Sequence, residues 1–98
     1  MILEHALLDI LPGQESEFEA AFRQARPIIA GTSGFRSLRL ERCMENSSRY
    51  LLLVEWERLE DHTMVFRQSD DYEKWRMLLH RFYHPFPTVE HYEAVPFG

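Results

Sequence analysis

The stretch Tyr50-Leu51-Leu52-Leu53-Val54-Glu55-Trp56 decides how this chain folds. Its first five positions are apolar without a break, so both alternating faces of an extended segment carry hydrophobic side chains. A strand of that kind belongs in the middle of a sheet with both of its faces covered.

Working outward, Phe35 to Met44 alternates, with Leu38, Leu40 and Met44 on one face and Ser37, Arg39, Glu41 and Cys43 on the other. The polar turn Glu45-Asn46-Ser47-Ser48 joins this strand to the central one. Ile2 to Ile10 reads as another, mostly aliphatic strand, stopped by Pro12-Gly13. Between them Phe18, Phe22, Ala25 and Ile29 recur at helical spacing and predict a helix over Gly13 to Ala30. Pro12 suits its first turn, Glu15 and Glu17 favour its positive end, and Pro27 should kink or loosen its last turn before the loop Gly31-Thr32-Ser33-Gly34.

Downstream, Leu59 to Gln68 is a short helical segment, and Ser69 with Asp70 and Asp71 marks a fresh helix start. Tyr72, Trp75, Leu79 and Phe82 share one stripe of that second helix, which stops near His84-Pro85-Phe86-Pro87. Thr88 to Val95 closes the chain as a last strand. The order is the α+β, ferredoxin-like β-α-β-β-α-β arrangement, one domain over residues 1–98, with two helices on one face of a four-stranded antiparallel sheet. Because the first and third strands carry Leu, Ile or Val on both alternating sets, the other sheet face needs a second layer. A homodimer supplies one.

Composition narrows the functional classes. Sixteen acids against eleven bases give a net charge of −5, with no basic stripe to follow a phosphate backbone, so nucleic acid is not an expected partner. No apolar run reaches bilayer-spanning length and the N-terminus has no cationic leader, which together predict a cytoplasmic protein without membrane contact. Cys43, the single cysteine, reads as a small buried hydrophobe.

Several segments carry a further resemblance. Met1-Ile2-Leu3-Glu4-His5-Ala6-Leu7-Leu8, Pro12-Gly13 before a Phe-bearing helix, Gly34-Phe35-Arg36-Ser37-Leu38, Tyr50 to Glu57, Leu59-Glu60-Asp61-His62 and Phe86-Pro87-Thr88-Val89-Glu90-His91-Tyr92 resemble the antibiotic biosynthesis monooxygenase domain. The resemblance implies a dimeric α+β barrel in which each chain keeps a pocket between its own sheet and helices. It also implies chemistry without metal, flavin or other cofactor, in which a deprotonated phenol or enol passes an electron to O₂. The haem-degrading branch of that barrel resembles a pattern with an Asn on the first strand, a Trp and an axial His; this chain has no such Asn, and Phe66 and Arg76 stand where the Trp and His would. Haem degradation is disfavoured.

Such chemistry needs aromatic walls and one or two polar groups beside the substrate oxygens. Phe22, Trp56, Tyr72, Trp75 and Phe82 are the candidate substrate-binding residues, each of which also reads as ordinary core at helical or strand spacing. The Trp56 indole N–H suits a ligand or a loop cap equally. His62 and His80 are the candidate catalytic bases, since an unperturbed imidazole titrates near neutrality, and solvated surface is the alternative for both. His5, Arg39, Glu55 and His91 are expected on the partner-facing side of the sheet as an ion and hydrogen-bond network, the alternative placing His5 or Arg39 in the pocket. His80 and His84 have the one helical pair spacing for a metal, but the pair ends at a proline turn and no metal site is expected. The leading expectation is a cofactor-independent monooxygenase acting on a small aromatic or quinol-type metabolite. The alternatives are a non-catalytic, small-ligand-binding or stress-associated dimer, and a purely structural dimer whose interior is filled by its own side chains.

Overall fold

The computed structural model describes all residues, Met1–Gly98. Four strands, β1 (Ile2–Asp9), β2 (Phe35–Arg42), β3 (Arg49–Trp56) and β4 (Val89–Tyr92), form one antiparallel sheet in the order β2-β3-β1-β4. Helices α1 (Glu15–Ala30) and α2 (Asp70–Leu79) pack on one face. This is the α+β ferredoxin-like arrangement, with the Tyr50–Trp56 stretch in one of the two central strands.

Register explains the layering. Ala6 lies opposite Leu52, Leu8 opposite Tyr50 and Glu4 opposite Val54, so the even-numbered residues of β1 and β3 face the helices, and all but the half-buried Ile2 are buried there. A bulge between Phe35 and Ser37 adds one residue to β2 and turns Phe35 to the same face as Leu38 and Leu40, where its ring meets Trp56 edge-on at 5.9 Å. On α1, Phe18, Ala21, Phe22, Ala25 and Ile29 close over this surface. Each fully buried Leu or Phe removed from water contributes about 1.5–3 kcal/mol.

Boundaries shift where local chemistry overrides pattern. Pro12 sits in the turn ahead of α1 rather than in its first turn, because Gly13 takes φ +88 and breaks the helical path. The helix runs through Pro27 and tightens at its end, with Gly31 and Thr32 bonding back to Ile28 and Ile29. β2 stops at Arg42, leaving Met44 exposed, while Cys43 is half-buried rather than buried, its thiol 3.7 Å from Glu45 Oε1. The last strand is four residues long, and residues 93–98 follow it without sheet pairing.

Residues Asp61–Phe66 wind as a π-helical turn, the amide of Arg67 reaching back to the carbonyl of His62. Asp61 anchors it by accepting from the Arg58 amide at 3.0 Å, against the glycine backbone of Gly34. Ser69 then caps α2, its hydroxyl accepting from the Tyr72 amide at 3.1 Å and donating to the Phe66 carbonyl at 2.6 Å. Past α2, a 3₁₀ turn (His80–Phe82) leads into Tyr83, which bridges Ile10, and the His84 amide donates to the carbonyl of Asp9. Residues 85–88 span between two points of attachment to β1, with the Phe86 ring against His80 and Tyr83.

Candidate functional site

A cavity of about 370 Å³ lies between the sheet and the helices. Its floor is Ala6, Leu8 and Leu52, with Val89 from the edge strand. The small side chain of Ala6 in a central strand leaves room that a Leu would fill. Phe66, Tyr72, Trp75, His80 and Tyr83 form its aromatic walls, and Phe86 and Pro87 complete the lining. The purely structural reading required a filled interior, and this space disagrees with it.

The structure brings His62, His80, Tyr72 and Trp75 together on this cavity. Phe22, Trp56 and Phe82, expected on the same wall, do not line it: all three are buried in the packed core, Phe22 edge-on to Trp75 at 5.7 Å and Phe82 against Phe18. Trp56 acts from behind. Its indole N–H donates to Oε1 of Glu4 at 3.0 Å, and its ring stacks on His62 at 5.3 Å.

Glu4 is the polar residue that pattern reading passed over. As an acid among aliphatics in β1 it resembles a solvent-facing position, yet its even register points it at the helices, where it is 5% exposed and lines the cavity. His62 Nε2 lies 3.3 Å from the same Oε1, and His62 Nδ1 lies 2.8 Å from His91 Nε2. His91 was expected on the partner-facing side; its pairing with Glu4 across β1 and β4 puts it on the helix side instead. His5, Arg39 and Glu55 do lie on the open face, outside the cavity.

Burial pushes the Glu4 carboxyl up to about 7, the Trp56 N–H and the Arg67 cation holding it partly down. Burial pushes His62 down to about 3, and the nearby Arg67 and His91 oppose a second positive charge. His80 and His91 are both lowered by burial, with Arg76 and Arg67 respectively adding to the effect. Tyr83 is raised by burial and by Glu4, which keeps its hydroxyl a neutral donor. Arg67 also lines the cavity and has no carboxylate within ion-pair distance. No group of three or more His, Cys, Asp or Glu side chains is arranged to hold a metal ion, and His84 is exposed while His80 is half-buried.

Residues 1–77 match the family model described as antibiotic biosynthesis monooxygenase. The chain belongs to the antibiotic biosynthesis monooxygenase family. Within this family's reach, an uncharacterised protein of Bacillus subtilis strain 168, YczJ, is 59% identical over 95 residues, covering 97% of this chain and 100% of its own. A crystal structure from Bordetella bronchiseptica, assigned to the antibiotic biosynthesis monooxygenases, superposes with a TM-score of 0.91 at 38% identity over 97% of each chain. SnoaB of Streptomyces nogalater, described as a cofactor-independent oxygenase, superposes with a TM-score of 0.74 at 18% identity over 97% of this chain and 94% of its own. At that identity the likeness is one of fold.

The monooxygenase family resemblance seen in Leu59-Glu60-Asp61-His62 now has a structural meaning. That segment leads into the π-helical turn Asp61–Phe66, from which His62 and Phe66, four residues apart, both line the cavity. The signal that would have exposed Glu4 was its register: counted from the buried even positions Ala6 and Leu8, Glu4 falls on the same face.

Proposed function

We propose that this protein is a cofactor-independent monooxygenase acting on a small aromatic or quinol-type metabolite. The observation that carries the reading is the pairing of Glu4 with His62 on the wall of an aromatic-lined cavity, on a fold shared with a protein described as a cofactor-independent oxygenase. A planar substrate stacks among Phe66, Tyr72 and Trp75. Oε1 of Glu4 is engaged by Trp56 and His62, while Oε2 has no protein donor and is left for the substrate proton. A carboxyl near neutrality is matched to that task, and His62, held neutral, stands behind it. His80, edge-on to Tyr72 at 6.1 Å, is the second proton acceptor, and Arg67 stabilises the anion that forms.

The anion gives one electron to O₂, and recombination forms a carbon–oxygen bond. On an anthrone-type substrate a CH₂ becomes C=O, one oxygen atom entering the product and the other leaving as water with both hydrogens. The cavity contributes positioning and exclusion of bulk water.

The functional unit is a homodimer joined through the open sheet face, where Leu3, Leu7, Leu51, Leu53 and Tyr92 project. His5 Nδ1 on that face is shut off from solvent without a hydrogen-bond partner. The accessible surface of 6398 Å² also exceeds the about 5,900 Å² usual for a monomer of this mass. No helix is long and apolar enough to cross a membrane.

The test is oxygen uptake, with metal removed, over a panel of anthrones and hydroquinones. Turnover with at least one of them, lost in Glu4→Gln and in His62→Ala combined with His80→Ala, is the expected result. Absence of turnover above background with every member, or equal turnover in those variants, overturns the reading.

A further inference from the structure

We propose that Glu4, His62 and His91 form a proton relay that carries a proton accepted inside the cavity out to solvent at the edge strand. The inference rests on the reading of the cavity as a site of proton abstraction. Its evidence is the geometry of the three side chains, in which the buried His62 imidazole meets the buried Glu4 carboxylate through one ring nitrogen and the half-buried His91 through the other. The separations are 3.3 Å from Glu4 Oε1 to His62 Nε2 and 2.8 Å from His62 Nδ1 to His91 Nε2. The first contact is a close approach without hydrogen-bond alignment, and proton-transfer contacts are commonly long or poorly aligned before substrate binds.

Counting protons shows why these groups act together. When Glu4 has taken a proton on its cavity-facing oxygen, a half-turn of the carboxyl group brings that O–H to His62 Nε2, which accepts from it, while Nδ1–H of His62 donates to His91 Nε2 and His91 carries its own proton on Nδ1. When Glu4 is ionised, Oε1 accepts from both Trp56 and His62 Nε2–H, so His62 Nδ1 is bare and accepts from His91 Nε2–H. The change moves three protons by one bond each. Glu4 passes its proton to His62 Nε2, His62 passes its Nδ1 proton to His91 Nε2, and the Nδ1 proton of His91 leaves to solvent. One proton departs, no electron moves, and neither imidazole needs to end as a cation.

The surroundings favour transit over storage. Arg67 repels a positive charge on His62 and His91 and favours the carboxylate of Glu4. Asp61, the nearest acid on the π-helical turn, is held by Arg58. From the other elements packed around the chain come Tyr72, His80 and Tyr83, of which Tyr83 stays neutral, and the indole of Trp56, which does not titrate. Because burial holds His62 far below neutrality, it cannot keep a second proton and must release one as it takes one. Without an outlet, Glu4 would remain protonated after one transfer and the cavity would lose its base.

The experiment is ¹⁵N NMR of the histidine side chains in the whole protein, titrated from pH 5 to 9 with no substrate present. The expected result is that His62 exchanges its Nδ1–H form for its Nε2–H form as pH rises, that His91 changes tautomer with the same midpoint, and that both changes vanish in Glu4→Gln. Constant tautomers in both rings, or midpoints that differ between them, overturn the relay, and the wild-type titration alone decides this if a variant fails to fold. The readout is independent of oxygen uptake, so a failed monooxygenase assay and a failed relay are separate results. Where turnover is found, His91→Gln is expected to lower kcat at least tenfold with KM little changed. An unchanged kcat would exclude His91 as the outlet.

Discussion

The indole N–H of Trp56 donates to Oε1 of Glu4 over 3.0 Å, linking the end of β3 to the start of β1 inside the core. The two residues are diagonal neighbours, since Glu4 pairs with Val54. The bond lets an acid sit in an aromatic interior at the edge of ionisation. Trp56→Phe removes it and should raise the Glu4 pKa by about 1–2 units, because a hydrogen bond to a charged group is worth about 1.5–3 kcal/mol. The carbonyl stretch of the protonated Glu4 carboxyl, followed by infrared difference spectroscopy against Glu4→Gln, measures the shift.

Stability should depend on pH in a way that exposes both buried groups. Glu4 is raised from 4.5 to about 7, so the folded chain binds the extra proton in that window, and Glu4's contribution falls as pH rises through it. His62 is lowered from 6.5 to about 3, so the unfolded chain binds the extra proton in its window, and His62's contribution falls as pH drops through it. The two slopes oppose each other between 4.5 and 6.5. In Glu4→Gln only the His62 slope remains, and unfolding free energy should climb with pH toward 6.5 at up to about 1.4 kcal/mol per pH unit more steeply than in wild type. Urea denaturation at a series of pH values reads the difference directly.

Gly34 supports the π-helical turn from below. Its φ of +89 suits glycine, and an added Cβ would fall within the Asp61 carboxylate. Gly34→Ala should cost about 3 kcal/mol or more, combining left-handed strain with displacement of a buried acid. Gly13, at φ +88 with open space around it, is the control, and Gly13→Ala should cost only about 1–2 kcal/mol. Denaturant midpoints of the two variants distinguish strain from steric displacement.

The dimer is tested on the open face. Wild type should sediment as twice its 11.8 kDa chain mass at micromolar concentration. Leu53→Arg places a charge in the middle of that face, opposite His5 and Arg39, and should yield a folded monomer by sedimentation and circular dichroism. A wild-type monomer at micromolar concentration would contradict the dimer.

Much of the architecture was legible from local rules. The unbroken apolar run Tyr50 to Val54 required a central strand, the Phe18 to Ile29 stripe required a helix, and Ser69 marked the start of α2, because propensity, periodicity and capping act within a few residues. These rules also identified the chemistry-bearing residue types, and His62, His80, Tyr72 and Trp75 do meet on one cavity. They did not separate wall from core. Phe22 and Trp75 have the same periodic signature, and only the position of the gap above Ala6 makes one a wall and the other packing.

By itself the sequence determined the elements and their order, both consequences of side-chain spacing along one chain. Tertiary structure alone decided which polar groups share a site. Glu4, Trp56, His62 and His91 lie on four different elements, and strand register together with one widened helical turn brings them within hydrogen-bonding range. Burial then displaces their proton affinities by amounts that no residue carries alone, since desolvation is a property of what surrounds a group.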